Sequence, residues 1–160
     1  MLTIGDLVLR RASDADIDAV IALQRAAYAR NRELLGVEPL PLQADYASIF
    51  RDYEVWVAGD DAITGVLILE PRPADLLIWS ISADPRRQQA GLGQAMLAAA
   101  EVRARALGLG TMRLYTGTLL RHLVDWYGRH GYAVERIEEL SDRSVTHMLK
   151  HLDAAPSPVD

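Results

Sequence analysis

The chain has 160 residues, half of them hydrophobic, with a formal net charge of −5 and no cysteine. This balance predicts one globular domain over residues 1–152 and excludes disulfides, thiolate metal sites and a cysteine nucleophile. The acidic charge argues against a nucleic-acid partner, and the apolar runs are too short to span a membrane. With no secretion signal visible, we expect a cytoplasmic location.

The first half of the chain predicts a strand followed by two helices. The strand covers Leu2–Arg10, and Ser13 is a good N-cap for the first helix. Residues 31–41 contain a glycine and two prolines and are predicted to form a loop, and a short helix follows over 43–51. The apolar face of the first helix is given by residues at helical spacing: Ile17, Val20, Ile21, Gln24 and Tyr28.

Three strands are predicted next, over 54–58, 63–70 and 76–83. The turn residues Gly59-Asp60-Asp61 join the first two, and Pro71-Arg72-Pro73 separates the second from the third. Short connections between consecutive strands indicate an antiparallel meander.

The second half alternates helices and strands. A long amphipathic helix is predicted over 91–107, a strand over 112–116, and a helix capped by Thr118 that ends at Gly131. Two strands follow, over 132–137 and 145–152, and the tail 153–160 is predicted to be disordered. This order predicts an α/β protein (α+β) with a mixed sheet covered by helices.

The segment between the third meander strand and the long helix is typical of an anion-binding loop. Gly91 and Gly93 allow a ligand to approach the backbone closely, and the free amides of a helix start attract anions. Arg86 and Arg87 add positive charge beside it.

Three kinds of phosphate loop are compatible with two such glycines. A Walker loop would end in Gly-Lys-Ser/Thr, which is absent, and a dinucleotide fingerprint would need glycine where Met96 stands. The third pattern, Gln/Arg-x-x-Gly-x-Gly/Ala, is matched in full by Gln88, Gly91 and Gly93.

That pattern is the signature of the GNAT superfamily of N-acetyltransferases, which the chain resembles here. Leu114-Tyr115-Thr116, Trp126-Tyr127 and Gly131-Tyr132 resemble the later strand and helix of the same family. The resemblance implies a GNAT-like three-layer fold, with a mixed six- to seven-stranded sheet flanked by about four helices.

The resemblance also implies acetyl-CoA as acyl donor, without a metal. The donor would lie between two splayed parallel strands, 76–83 and 112–116, with His122 standing where many members have an asparagine that contacts the pantetheine arm. The residues implied in donor binding are Ile81, Ser82, Ala83, Arg86, Arg87, Gln88, Gln89, Ala90, Gly91, Leu92, Gly93, Gln94, His122 and Tyr127.

The implied reaction is direct attack of a primary amine on the thioester within a ternary complex. Tyr127 matches the family tyrosine that serves the leaving thiolate as an acid, and it also fits core packing. Glu70 is the preferred carboxylate for removing the amine proton, ahead of Glu33 and Glu54, and His147 is the other imidazole to test.

The acceptor is left open as an amine-bearing small molecule or a peptide or protein. The net charge mildly favours a cationic substrate, and homodimers are common in the family. Two alternatives remain. One is a non-catalytic acyl-CoA-binding sensor or regulatory domain, since Trp79 and Ser80 stand where many members have a glutamate. The other is an interaction domain that has lost the donor.

Overall fold

A computed structural model describes residues 1–87 and 90–153, and within these ranges the backbone forms eight strands and five α-helices. The strands are β1 (Leu2–Ile4), β2 (Leu7–Arg11), β3 (Glu54–Ala58), β4 (Gly65–Pro71), β5 (Leu76–Ala83), β6 (Thr111–Gly117), β7 (Ala133–Glu139) and β8 (Ser144–His151). The helices are α1 (Ile17–Leu35), α2 (Leu40–Gln43), α3 (Tyr46–Asp52), α4 (Leu92–Ala106) and α5 (Arg121–Arg129), and a 3₁₀ turn at Asp14–Asp16 precedes α1.

The eight strands form one mixed sheet in the order β1-β2-β3-β4-β5-β6-β8-β7. Strands β3, β4 and β5 are the predicted antiparallel meander, and β5 then pairs in parallel with β6. The helix α4 connects these two parallel strands, as a parallel pair requires a crossover. The sheet therefore changes from antiparallel to parallel at its centre.

Helices cover both faces of the sheet, which gives the expected three layers. On one face, α1 and α3 bury Val20 and Ile49 against Val66 and Ile68 of β4. On the other face, Met96 and neighbouring apolar residues of α4 and α5 pack on the remaining side chains of the central strands. The central strands β3 and β4 are buried on both sides because their alternating side chains face two separate cores, whereas the edge strand β7 is largely exposed.

The sheet has eight strands instead of six to seven because the segment predicted as a single strand is a hairpin. Gly5 adopts a φ of +54°, and the chain reverses there, so that Leu2 pairs with Leu9. Only two alternating apolar residues lie on each side of the turn, Leu2 and Ile4 before it and Leu7 and Leu9 after it, so the two arms are too short to be recognised separately. A Gly-Asp pair, Gly5-Asp6, is the local turn signal.

The helices also differ in number and bounds from the prediction. Helix α1 continues to Leu35 and ends at Gly36, which has a φ of +71°. The predicted loop therefore holds the last turns of α1, and the additional short helix α2 begins there. The residue preceding α5 is Leu120; Thr118 instead bonds to the hydroxyls of Ser144 and Thr146 at 2.9 and 3.0 Å.

Among the described residues, no helix combines the length and apolar character needed to cross a membrane. The tail predicted to be disordered, residues 153–160, lies outside the described residues except for Asp153, which is exposed.

Candidate functional site

The sheet opens between β5 and β6, and a cavity lies in the opening. The two strands pair only at their beginnings, from Leu76 opposite Met112 to Ile78 opposite Leu114. Beyond that point β5 continues along β4 and β6 continues along β8, so the two strands separate. The described residues around the gap enclose a cavity of about 270 Å³ that α1, α2 and α5 also line.

A bulge in β5 decides which side chains face the cavity. Ile68 pairs with Ser80 and Leu69 with Ile78, so Trp79 is an extra residue on β5. Because one inserted residue reverses the alternation of the strand, Ile78 packs in the α4 core while Ser80 faces α1. The bulge thus brings hydroxyl groups to the α1 side of the cavity.

A buried polar network holds that hydroxyl-bearing part of β5 against α1. The amide nitrogen of Gln24, which is fully buried, donates to Ser80 Oγ at 3.0 Å and to Tyr46 Oη at 3.1 Å. Ser82 Oγ donates to the amide oxygen of the same residue. Tyr28 Oη lies 2.8 Å from Ser80 Oγ. The network satisfies every polar atom that the bulge buries there.

Tyr127 reaches the cavity from α5 on the opposite side of the gap. It is buried and packs edge-to-face against Trp126 and Tyr132. Burial raises the pKa of the Tyr127 phenol, with a smaller contribution from Tyr28. The hydroxyl is therefore protonated at neutral pH and can only donate to a negative group that forms beside it.

The predicted anion-binding loop leads into the start of α4. Gly91 is the N-cap with a φ of +81°, a left-handed conformation that favours glycine. The first bond of α4 joins Ala95 N–H to the carbonyl of Gly91 at 2.9 Å. The amides of the residues between them, Leu92 to Gln94, precede the first helical bond and point out of the helix start.

The remaining loop residues differ in their surroundings. Leu92 is buried and anchors the helix, whereas Ala90, Gly91 and Gln94 are exposed. A Cβ on Gly93 would meet only Trp126, at 3.8 Å, so the space above that residue is otherwise open. The predicted contacts of Gln88 and Gln89 lie outside the described residues.

The two predicted arginines lie in the exposed turn that leaves β5. Arg86 folds back on Asp84 through Nε to Oδ1 at 3.1 Å and Nη2 to Oδ2 at 3.2 Å. These bonds lower the pKa of the Asp84 carboxyl. The backbone N–H of Arg87 closes the same turn on the Asp84 carbonyl at 3.0 Å. Asp84 thereby shapes the approach to the helix start.

The other predicted site residues fall into two groups. Ile81, Ser82 and Ala83 line the cavity, together with Tyr127. Among the described residues that line it, neither Glu70 nor His122 is present. His122 is exposed in the first turn of α5. Glu70 interacts with the Tyr53 hydroxyl, and its charge acts on Tyr115, which does line the cavity.

Two of the other candidate bases, Glu54 and His147, are bonded to neighbouring side chains, whereas Glu33 is exposed on α1. Glu54 accepts from Arg103 at 2.9 and 2.8 Å and from Trp56 Nε1 at 3.0 Å; burial raises its pKa, but these bonds outweigh burial and lower it. His147 Nε2 lies 2.8 Å from Glu138 Oε1, and its ring centroid is 5.6 Å from that of Tyr115.

One charged residue lines the cavity within the described part of the chain, and sequence reasoning missed it. Arg143 lies immediately before β8, and its side chain is 5% exposed. The sequence signal was weak, because Ser141-Asp142-Arg143-Ser144 resembles an ordinary polar hairpin loop. The pairing of β8 with β6 brings this loop to the cavity, and the local sequence does not indicate that pairing.

A family model described as an acetyltransferase (GNAT) domain matches residues 51–134, slightly more than half of the chain. The matched segment runs from the end of α3 into β7 and includes β5, β6, α4 and α5, which form the opening in the sheet. No curated protein sequence matches the chain significantly.

Solved structures with the same fold are numerous, and the three described next each cover more than nine-tenths of the chain. The ribosomal-protein-S18-alanine N-acetyltransferase of Escherichia coli is 16% identical, with a TM-score of 0.74, over 96% of this chain and 99% of that one. A GNAT family acetyltransferase of Elizabethkingia anophelis with acetyl-CoA bound is 14% identical, with a TM-score of 0.72, over 93% and 100%. The PaiA N-acetyltransferase of Thermoplasma acidophilum in complex with coenzyme A is 17% identical, with a TM-score of 0.70, over 91% and 99%.

At these identities the solved structures establish the fold, while the family model establishes membership. The open sheet, the bulged strand and the glycine-capped helix start all lie within the matched segment. The chain belongs to the GNAT family of acetyltransferases.

Proposed function

We propose that residues 1–152 transfer an acetyl group from acetyl-CoA to the primary amine of an acceptor, by direct attack within a ternary complex. The observation that carries this proposal is the opening between β5 and β6 beside the start of α4. It offers unpaired strand edges for an extended ligand and free helix amides for an anion at the end of the same groove. Solved relatives of the same fold hold acetyl-CoA or CoA.

The described residues fit such a donor. The amides of Leu92 to Gln94 would bind a pyrophosphate, where the left-handed Gly91 turns the chain into the helix. The backbone of β5 at Ile81 to Ala83, which lines the cavity, would form hydrogen bonds with the amides of the pantetheine arm of the donor and orient its thioester carbonyl. Arg87 adds charge outside, whereas Arg86 is engaged with Asp84. Gln88, Gln89 and Ala90 complete the proposed loop, and His122 stays a proposed contact at its edge.

Acetyl-CoA supplies, when bound, a thioester carbonyl that an amine can attack. Tyr127 would then donate a hydrogen bond to the sulfur as negative charge develops on it. A phenol with a pKa above about 10 cannot fully protonate a thiolate whose conjugate thiol has a pKa near about 8.5. Stabilisation of the leaving group by hydrogen bonding, followed by protonation from solvent, is therefore the role we assign to Tyr127.

The amine must lose a proton before it attacks. For a lysine-like amine this costs roughly 4–5 kcal/mol at neutral pH, since its pKa is about 10.4. Glu70 is our candidate base, and because it does not line the cavity it would act through Tyr115 or a water molecule. The support is its electrostatic effect on the Tyr115 hydroxyl, which lines the cavity.

The proposal is tested with the purified chain, acetyl-CoA and a panel of small amines, amino acids and peptides, by following free thiol and acetylated product. We expect turnover with at least one class of amine and saturable binding of acetyl-CoA in calorimetry. Absence of any acyl-CoA binding would overturn the proposal.

The second candidate is an acyl-CoA-binding sensor without turnover. It is favoured by one observation, the lack of any carboxylate among the described residues that line the cavity. Tight acetyl-CoA binding without product across the whole panel, unchanged in Tyr127→Phe, would select this alternative.

A further inference from the structure

The cavity contains a buried positive charge on the side away from the helix start that would hold the donor. Arg143 lines the cavity, and its side chain is 5% exposed, whereas that of its neighbour Asp142 is 53% exposed. A guanidinium removed from water loses hydration that other groups must replace. Groups of the protein or of a ligand must therefore accept most of the hydrogen bonds that Arg143 can donate.

The one carboxylate bonded to Arg143 in the described structure uses only one edge of the guanidinium. Nε donates to Asp142 Oδ1 and Nη2 to Oδ2, both at 3.0 Å. Nη1 donates no hydrogen bond to another described residue. The guanidinium carries five N–H groups, so the edge formed by Nη1 and the second N–H of Nη2 can bind another carboxylate in a bidentate manner.

Strand register places Arg143 on the acceptor side of the cavity. β8 pairs with β6 so that Val145 is opposite Gly117 and His147 is opposite Tyr115. Because side chains alternate along a strand, position 143 continues the face of positions 145 and 147, which is the face of Tyr115. That face of the sheet is covered by α1, opposite to α4 and its helix start.

The surroundings of Arg143 disfavour a cationic acceptor. The described lining holds no aspartate, glutamate, histidine or lysine, so the free edge of Arg143, whose other edge is paired with Asp142, is the only charged group that faces the cavity there. A polyamine-like substrate would find no carboxylate on the cavity wall to receive its ammonium groups, because Asp142, the partner of Arg143, lies outside the lining, although the chain as a whole is acidic. The local charge is the stronger criterion, since interactions of buried groups are screened less than those of surface groups.

We propose that the acceptor is a small amino carboxylate of the amino-acid class, and that the free edge of Arg143 binds its carboxylate. This inference rests on the proposed acetyl transfer and specifies its substrate. Apolar and aromatic neighbours on the same side of the cavity, Leu35, Leu40, Trp79 and Tyr115, would receive an apolar substituent of the acceptor.

The kinetic test compares phenylalanine, phenylalaninamide and phenethylamine as acceptors at saturating acetyl-CoA. The three share the apolar group and the amine but differ in the carboxylate. The ammonium group of the amide loses its proton more readily than that of the amino acid, so intrinsic reactivity favours the amide. We expect the amino acid to have the lowest KM by about 10–100-fold, the loss typical of a charge-assisted hydrogen bond. A KM for either analogue without the carboxylate that is equal to or lower than that of the amino acid would overturn the inference while leaving acetyl transfer intact.

The variant Arg143→Gln should raise the KM of the amino acid by about 10–100-fold and leave that of phenethylamine unchanged. Arg143→Lys keeps the charge without the planar fork and should recover part of the affinity. Arg105→Gln, at an exposed arginine of α4, is the matched control and should change neither constant. If Arg143→Gln instead weakens acetyl-CoA binding, the arginine belongs to the donor site and the inference is wrong.

A binding measurement separates this inference from turnover itself. N-acetylphenylalanine, its amide and a panel of other N-acetylated amino acids are titrated into the CoA-loaded protein and into its Arg143→Gln variant. Preferential binding of the acids that is lost in the variant supports the carboxylate site, even if no amine is acetylated. Failure of all acids to bind, or equal binding of acid and amide, overturns it.

Discussion

The side-chain amide of Gln24 on α1 donates to the hydroxyl of Ser80 on β5 at 3.0 Å, between residues that are 56 positions apart. The same amide group bonds to Tyr46 and accepts from Ser82, so one buried side chain joins α1, α3 and β5. These bonds fix the distance between the helix that covers the acceptor side and the strand edge proposed to orient the donor.

Replacing Gln24 by leucine should destabilise the fold by about 2–3 kcal/mol. The Ser82 hydroxyl would lose its hydrogen-bond partner, and the hydroxyls of Ser80 and Tyr46 would each lose one of two partners. The midpoint of urea unfolding, at unchanged slope, measures the loss. Gln43→Leu is the control: this glutamine is exposed and donates a single bond to the carbonyl of Glu38. Equal effects of the two substitutions would show that the network adds no stability.

Gly93→Ala should weaken acetyl-CoA binding at least tenfold while slightly stabilising the fold. A Cβ there has room within the protein, and alanine is favoured over glycine in a helix by about 0.5–1 kcal/mol. The added methyl group would instead occupy the space proposed for the pyrophosphate. Gly128→Ala, at another helical glycine with open space around it, should stabilise α5 without affecting binding. Unchanged acetyl-CoA affinity in Gly93→Ala would place the donor elsewhere.

Tyr127→Phe should lower kcat by about 10–100-fold, which corresponds to one hydrogen bond to a developing charge. Acetyl-CoA affinity and thermal stability should change little, because the hydroxyl bonds to no other described residue and the ring keeps its packing. Tyr132→Phe is the matched control, since that hydroxyl donates to Glu101 at 3.0 Å, away from the cavity. A kcat equal to that of the wild type would mean that Tyr127 contributes only to packing and not to the reaction.

Glu70→Gln should lower kcat/KM for the acceptor by about tenfold or more at neutral pH, as expected for loss of a general base. The deficit should shrink as the pH approaches the pKa of the amine, where the acceptor loses its proton without help. Glu33→Gln, an exposed carboxylate of α1, should behave as the wild type at every pH. A pH-independent deficit would mean that Glu70 has only a structural role.

Alkaline pH should destabilise the protein through its tyrosines. Burial raises the pKa of all six above the ordinary value of about 10, and that of Tyr46 to about 12. The folded state therefore holds more protons than the unfolded state above about pH 10, so stability is complete below that pH and falls as the pH rises further. Phenolate absorbance of the native and the urea-unfolded chain measures the difference. Coincident titration curves would contradict the prediction.

Local patterns in the sequence indicate the proposed donor half of the candidate site, whereas the rest of the site depends on pairing between distant strands. Gly91 and Gly93 could be interpreted from sequence because a strand end, two glycines and a helix start lie within a few residues. The sequence indicates only that Gln24 lies on the apolar face of the first helix, because no residue near it in the chain indicates its hydrogen-bond partners on β5. The place of Arg143 in the cavity depends on the register between β6 and β8, which the sequence around Arg143 does not indicate.

Errors in the predicted fold have the same origin. The hairpin at Gly5 was missed because its two arms, Leu2–Ile4 and Leu7–Arg11, are too short to be recognised separately, although Leu2 and Leu9 pair across the turn. Helix α2 was missed because its four residues, between Pro39 and Ala44, are too few for a periodic pattern. The meander and the long helix α4 were predicted correctly because turn residues and helical periodicity separate them clearly.

The extra residue at Trp79 has a consequence for how specificity can change within this architecture. The bulge directs hydroxyl-bearing side chains of β5 toward α1, while the opposite main-chain edge of the same strand borders the gap. Under the proposed function, the donor is recognised mainly through peptide groups, which every amino acid supplies. Side chains on the α1 face can then be exchanged to accept a different amine without rebuilding the donor groove, so substrate preference can diverge among relatives while the reaction stays the same.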